Sequence, residues 1–150
     1  MHTHFVPFEH CLYFTIFRVI IINCYRIANT YMNVTVALVE PQYETNVGYI
    51  ARIMKNFGYN QLYLINPCFN REKAAIFATH GKDILASSKI CTLEDLREKF
   101  DVLVGTTAHP AYSRLNILRN SIDATRLSEI IKSVGTEKDF CIILEENHLV

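Results

Sequence analysis

The sequence predicts an α/β domain built on a parallel sheet, and three observations predict it. An apolar run, residues 34–39, passes through Glu40-Pro41 and a polar loop into an amphipathic stretch that closes at Gly58. Short aliphatic runs then alternate with amphipathic ones as far as residue 144, the pattern of strands joined by helices. One aliphatic run ends in Val104-Gly105-Thr106-Thr107-Ala108, small and hydroxyl-bearing residues of the kind that suit a ligand-facing strand end. Strands separated by helices must run parallel, with right-handed crossovers.

Each element has a local reason. Residues 34–39 are apolar enough for a buried strand. Asn46 is the expected N-cap of the first helix, where its oxygen could accept from a first-turn amide. Ile50, Ile53, Met54 and Phe57 follow at spacings of three and four and give that helix one apolar face. Arg52 and Lys55 lie three apart on the other side. Gly58 can end the helix in the left-handed conformation. Residues 61–66 read as a strand stopped by Pro67. Residues 71–79 and 82–88 read as helices, with a break at Gly81. Thr92-Leu93-Glu94-Asp95 resembles a capping box with Asp in the usual Glu or Gln position, opening a helix to Phe100. Residues 101–105 form a buried-type strand, 127–134 a helix closed by Gly135, and 139–144 a last strand.

Composition sets bounds. A chain of 150 residues makes one domain with a sizeable core. Fifteen basic and fifteen acidic residues cancel, so no global field draws it to nucleic acid, and if it binds a polyanion the contacts must be local. Arg52 with Lys55, and Arg114 with Arg119, are the candidate clusters. Cys11, Cys24, Cys68, Cys91 and Cys141 are scattered, without metal-site spacing, and read as reduced core residues of a cytosolic protein. His80 and His109 read as structural or solvated. Residues 11–22 are apolar but too short to span a bilayer, and Arg18 sits among them. No basic stretch precedes them and no small-residue cleavage site follows, so a secretory signal is not expected either.

The run from Glu40 to Gly58 resembles the first signature motif of the SpoU-type RNA methyltransferases of the SPOUT superfamily, the knotted enzymes that methylate ribose 2′-hydroxyls. Asn46, Gly48, Ala51, Arg52, Asn56, Phe57 and Gly58 match that motif in register. Ala78-Thr79-His80-Gly81-Lys82-Asp83-Ile84-Leu85 resembles the family's Ala-x-x-Gly-x-x-Leu helix, mostly a packing element. The resemblance implies a Rossmann-like parallel sheet of the α/β-knot type. It also implies S-adenosyl-L-methionine as methyl donor, with Gly105, Thr106, Thr107 and Ala108 lining its pocket, and a homodimer that needs no metal. The implied substrate is tRNA or rRNA, with tRNA favoured because the Glu-Pro form of the motif looks most like the tRNA cytidine/uridine 2′-O branch.

The resemblance also assigns roles. Arg52 corresponds to the family's essential arginine, acting on the ribose hydroxyl from across the subunit boundary, and Asn46 to the motif asparagine that supports the active-site loop. A guanidinium stays protonated and is a poor base. Two roles therefore stay open for Arg52: activating the hydroxyl with help from a phosphate, or orienting that phosphate and stabilising developing charge. RNA contact is expected from Arg52, Lys55 and Arg114. The family domain begins at its first strand, so Met32 is the expected natural start and residues 1–31 a non-family extension that adds nothing to stability. The resemblance runs to residue 144 and breaks at Glu145-Glu146-Asn147-His148-Leu149-Val150, where the family continues into Gly-x-Glu-x-x-Gly-Leu and the knot. The expectation is a domain with the knot segment missing, an incomplete or inactive copy unable to hold the whole cofactor. The competing class is a non-catalytic RNA-binding or remnant α/β module. An unrelated nucleotide-binding domain has no Gly-x-Gly-x-x-Gly or phosphate loop to support it.

Overall fold

The computed structural model describes residues 34–106, 126, 127, 129, 130, 133 and 137–145. In chain order the elements are β1 (Val34–Val39), α1 (Glu44–Asn56), β2 (Leu62–Ile65), α2 (Arg71–Ala78), a 3-10 turn (Thr79–Gly81) and α3 (Lys82–Ala86). They continue with β3 (Lys89–Ile90), α4 (Leu93–Lys99), β4 (Val102–Thr106) and β5 (Phe140–Glu145). Arg126, Leu127, Glu129, Ile130 and Ser133 are helical as well. The five strands form one sheet in the order β3-β2-β1-β5-β4, and every pairing is parallel. The α/β reading of the sequence holds. The extension 1–31 lies outside the described residues.

Alternation along the strands gives the sheet two apolar faces. Val36, Leu38, Leu62, Leu64, Ile142 and Leu144 pack on one side with α1, α2 and α3. Ala37, Tyr63, Ile65 and Cys141 pack on the other with Leu96 of α4 and Phe100 just after it. The core reading of the cysteines fails at Cys68, which is exposed. On α1 the expected stripe is buried at Ile50, Ile53 and Met54, while Phe57 is half-buried. Between α1 and the α2–α3 segment, small residues let the backbones touch. A Cβ on Gly48 would lie 2.5 Å from the Ala74 carbonyl oxygen and 2.5 Å from the Phe77 Cβ. A Cβ on Gly81 would lie 2.5 Å from the Ala51 carbonyl oxygen. Gly48 and Ala51 of the first motif and Ala78 and Gly81 of the second thus belong to one seam.

Two end signals act as the sequence indicates. Gly58 adopts φ 76°, and the amides of Gly58 and Tyr59 donate to the carbonyls of Lys55 and Met54 at 3.2 and 2.9 Å, a Schellman closure. Thr92 and Asp95 form a reciprocal capping box: the Asp95 amide donates to Thr92 Oγ1 at 3.2 Å, and the Thr92 amide to Asp95 Oδ2 at 2.7 Å. The expected N-cap at Asn46 is wrong. The helix begins three residues earlier, with Tyr43 in the extended N-cap conformation and Glu44 in the first turn, where its charge favours the helix dipole. Asn46 is the third residue of α1, its amide donating to the Tyr43 carbonyl at 3.1 Å. The break at Gly81 is a 3-10 turn that opens at Thr79, held at φ 50°. Arg71 closes α3 from outside, donating to the Leu85 carbonyl at 3.0 Å and to Ser88 Oγ at 2.9 Å.

Candidate functional site

Parallel strands joined by helices leave a crevice beyond their carboxyl ends, and ligands bind there in sheets of this kind. In this chain that edge carries the ends of β1, β5 and β4. Leu64, Leu38, Leu144 and Thr106 stand in one row across neighbouring strands, all facing the α1 side. Strand spacing places Thr106 roughly 10 Å from Leu38 along that row. The chain leaves β1 through Glu40, at φ 49°, whose amide donates to the Ile65 carbonyl at 2.8 Å. Pro41 is buried beside it. Leu38, Val39, Pro41, Asn46, Val47, Ile50 and Leu144 line a small pocket of about 20 Å³ at this edge. Half-buried Asn46 is therefore one strand away from Thr106, because Leu144 borders both.

Gly105 and Thr106 differ in what surrounds them. A Cβ added to Gly105 would meet no atom of the described residues within 4 Å, so their packing does not demand glycine there. Thr106 donates from Oγ1 to the Ile143 carbonyl at 3.3 Å, which fixes its rotamer on the edge strand. Thr107 and Ala108 of the same loop, and the basic residue Arg114, lie outside the described residues.

Arg52 lies apart from this edge. It is six residues beyond Asn46, roughly 9 Å along the helix axis, and a third of a turn away around it. It is exposed on the polar side of α1, as its spacing from Ile50 and Ile53 requires, and no hydrogen bond or ion pair engages it among the described residues. Lys55 is also exposed but committed to an ion pair with Asp83 of α3 at 2.5 Å. That pair holds the Asp83 carboxyl below its ordinary range, chiefly through the Lys55 hydrogen bond. His80 Nε2 is 2.7 Å from Asn56 Oδ1, and its Nδ1 is 3.2 Å from Thr79 Oγ1. Within one chain, then, Asn46 and Thr106 share a neighbourhood, and Arg52 belongs to another surface. The Asn56–His80 and Lys55–Asp83 ties were missed in the sequence because they join residues 24 and 28 apart.

Residues 33–140 match the SpoU rRNA Methylase family, and the match contains α1, the seam and β4. The chain belongs to that family. A tRNA (cytidine-2′-O-)-methyltransferase TrmJ of Sulfolobus acidocaldarius is 29% identical over 103 residues, 67% of this chain and 43% of that protein. Its counterpart of the same name in Methanocaldococcus jannaschii is 31% identical over 103 residues, again 67% of this chain and 44% of that protein. The chain thus spans less than half the length of these curated relatives. Among solved structures, a probable methyltransferase from Bordetella pertussis Tohama I superposes with a TM-score of 0.62 at 21% identity, covering 79% of this chain and 72% of that one. TrmJ from Z. mobilis ZM4 gives 0.58 at 19% identity, over 74% of this chain and 49% of that one. At such identities these two show a shared fold. The SpoU family motif residues of this chain do different things. Gly48 and Ala51 make the seam, Gly58 closes α1, Asn56 ties His80, and Arg52 alone projects into solvent unpartnered among the described residues.

For a methyl-donor cofactor, the described residues fit one wall of a site. Gly105, with no described atom within 4 Å of an added Cβ, the Thr106 hydroxyl and the half-buried Asn46 stand at the carboxyl edge of the sheet. The pocket of about 20 Å³ has room for a water molecule, not for a nucleoside. Among the described residues no helix is long and apolar enough to cross a membrane, and no group of acidic, His and Cys side chains could hold a metal ion.

Proposed function

We propose that this chain is the front part of an S-adenosylmethionine-dependent RNA ribose 2′-O-methyltransferase acting on tRNA. The observation that carries the reading is Arg52: in a motif otherwise absorbed by packing and capping, it is exposed and unpartnered among the described residues. The family match and the names of the tRNA-methylating relatives support the same reading. Gly105, Thr106, Thr107 and Ala108 would line part of the cofactor site, with Asn46 supporting the loop between β1 and α1. When bound, S-adenosylmethionine supplies an electrophilic methyl group. The protein's own part is to present the 2′-oxygen, take up its proton and fix the adjacent phosphate. Arg52 suits the last of these, since its planar fork can hold a phosphate in two hydrogen bonds and stabilise charge growing on the ribose oxygen. Arg52 and the Asn46–Thr106 edge occupy separate surfaces of one chain. A homodimer in which Arg52 of one subunit serves the strand-end site of the other accounts for that separation, and it is part of the proposal.

A second reading is a non-catalytic RNA-binding module, since the chain spans less than half the length of its curated methyltransferase relatives. One experiment separates the two. Residues 1–145 joined to the carboxyl-terminal portion of the M. jannaschii relative would be incubated with labelled S-adenosylmethionine and unmodified tRNA. Label in a 2′-O-methylated nucleoside supports the methyltransferase. A folded chimera that binds tRNA and transfers nothing, beside an active relative, supports the binding module.

A further inference from the structure

The surface around Arg52 is held by three contacts from one short segment. Gly81 touches the α1 backbone, where a Cβ would come within 2.9 Å of the Arg52 amide nitrogen. His80 bridges Asn56 and Thr79 through both ring nitrogens, and Thr79 is fixed at φ 50°, which β-branched residues rarely adopt. Asp83 takes Lys55. The exposed Lys82 stands between these contacts and, like Arg52, makes no hydrogen bond or ion pair among the described residues. The Gly81 contact keeps the Cα atoms of Lys82 and Arg52 within about 10 Å, a span that two long side chains close easily.

We propose that Arg52 and Lys82 form a two-cation site for the RNA phosphate backbone, with Asp83 withholding Lys55 from it. The inference rests on the RNA-substrate reading above and adds Lys82 to it. Charge argues for the occupant. The whole chain is neutral, yet among the described residues Arg52, Lys55 and Lys82 stand at this junction with Asp83 as the carboxylate engaged there. Exposed, strongly hydrated cations gain little from a lone anion but do gain from a polyanion, whose condensed counterions are released on contact.

The test is binding of fluorescently labelled, unmodified tRNA across a potassium chloride series. Lys82→Ala is expected to flatten the plot of log affinity against log salt by about 0.7–0.9, one phosphate contact, and Lys82→Arg to keep the parent slope. Asp83→Asn is expected to steepen it by a similar amount, because Lys55 is released. Lys89→Ala, on exposed β3 at the sheet edge, should change nothing. The salt slope reports charge contacts, so a merely structural role for Lys82 would not move it. If parent and Lys82→Ala bind tRNA with the same slope, the two-cation site is wrong and the RNA reading stands. An unchanged slope in Asp83→Asn overturns the withholding role. If the parent shows no saturable tRNA binding at low salt, the RNA reading fails and the site fails with it. Equal competition by millimolar inorganic phosphate would assign the cations to a free anion and overturn the proposal.

Discussion

Gly48→Ala should reverse the sign that helix propensity gives it. In an exposed helix interior, replacing Gly by Ala stabilises by about 1 kcal/mol. Here the new methyl would sit 2.5 Å from the Ala74 carbonyl oxygen, 2.5 Å from the Phe77 Cβ and 2.9 Å from the Ala78 amide nitrogen. Two of those atoms are backbone, so no side-chain rotation relieves the clash and α2 must move away from α1. Overpacking of this kind costs about 1–3 kcal/mol. At the upper end, expected because the clash is with backbone, the net loss is about 2 kcal/mol, a fall in Tm of about 4–8 °C for a chain of this size. Thermal and urea unfolding followed by circular dichroism would measure it, with Gly105→Ala as the contrast. A Cβ at Gly105 meets nothing among the described residues within 4 Å, so that variant should melt with the parent. A Gly48→Ala protein as stable as the parent, or more so, would refute the seam and the explanation of why Gly48 and Ala51 belong to the motif.

Four further outcomes follow from other contacts. Arg52→Ala should leave the Tm unchanged, since the residue is exposed and opens no cavity, while abolishing methyl transfer in the chimera; Arg52→Lys should be almost as harmful, because an ammonium lacks the planar fork. Thr92→Ala should cost about 1 kcal/mol by removing the cap on α4, measured by urea denaturation. The Thr92 backbone hydrogen bond, followed by its hydroxyl, holds the Asp95 carboxyl below its usual range. A lowered folded-state pKa contributes stability above the unfolded value, about 3.9, so the penalty of Asp95→Ala should be full at pH 7 and fade as pH falls below about 4. Burial pushes the Cys141 thiol up to about 12, whereas Cys68 is exposed. Peptide-level mapping of maleimide labelling at about pH 8 should find Cys68 modified in the native protein and Cys141 only after unfolding.

What could be read in the sequence was whatever a short stretch decides for itself. The Schellman closure at Gly58 and the capping box at Thr92 and Asp95 are such cases, because both partners lie close together along the chain. The strands at 34–39, 61–66 and 139–144 were legible from apolar runs and lie within a residue of their observed ends. β3 was not, since two exposed residues carry no pattern. The Asn46 cap failed because propensity names a residue type without fixing which turn is first; Tyr43 takes the cap on backbone conformation alone. Arg52 could be placed on the polar side by spacing alone. Its surroundings could not, because Gly81 reaches the Arg52 backbone, His80 reaches Asn56 and Asp83 reaches Lys55 through tertiary packing. The small residues at 48, 51, 74, 78 and 81 were visible at helical spacing, and they are the signal from which that packing could have been read.

The central claim, that this fold serves ribose methylation of tRNA, is tested most directly by where the methyl group goes. Unmodified tRNA, labelled S-adenosylmethionine and the chimera carrying residues 1–145 would be incubated together and the RNA digested with alkali, which leaves the linkage beside a 2′-O-methyl ribose uncut. Label in an alkali-resistant dinucleotide, lost in Arg52→Ala, is the predicted result. Label on a base, or undiminished transfer by Arg52→Ala, would contradict the account.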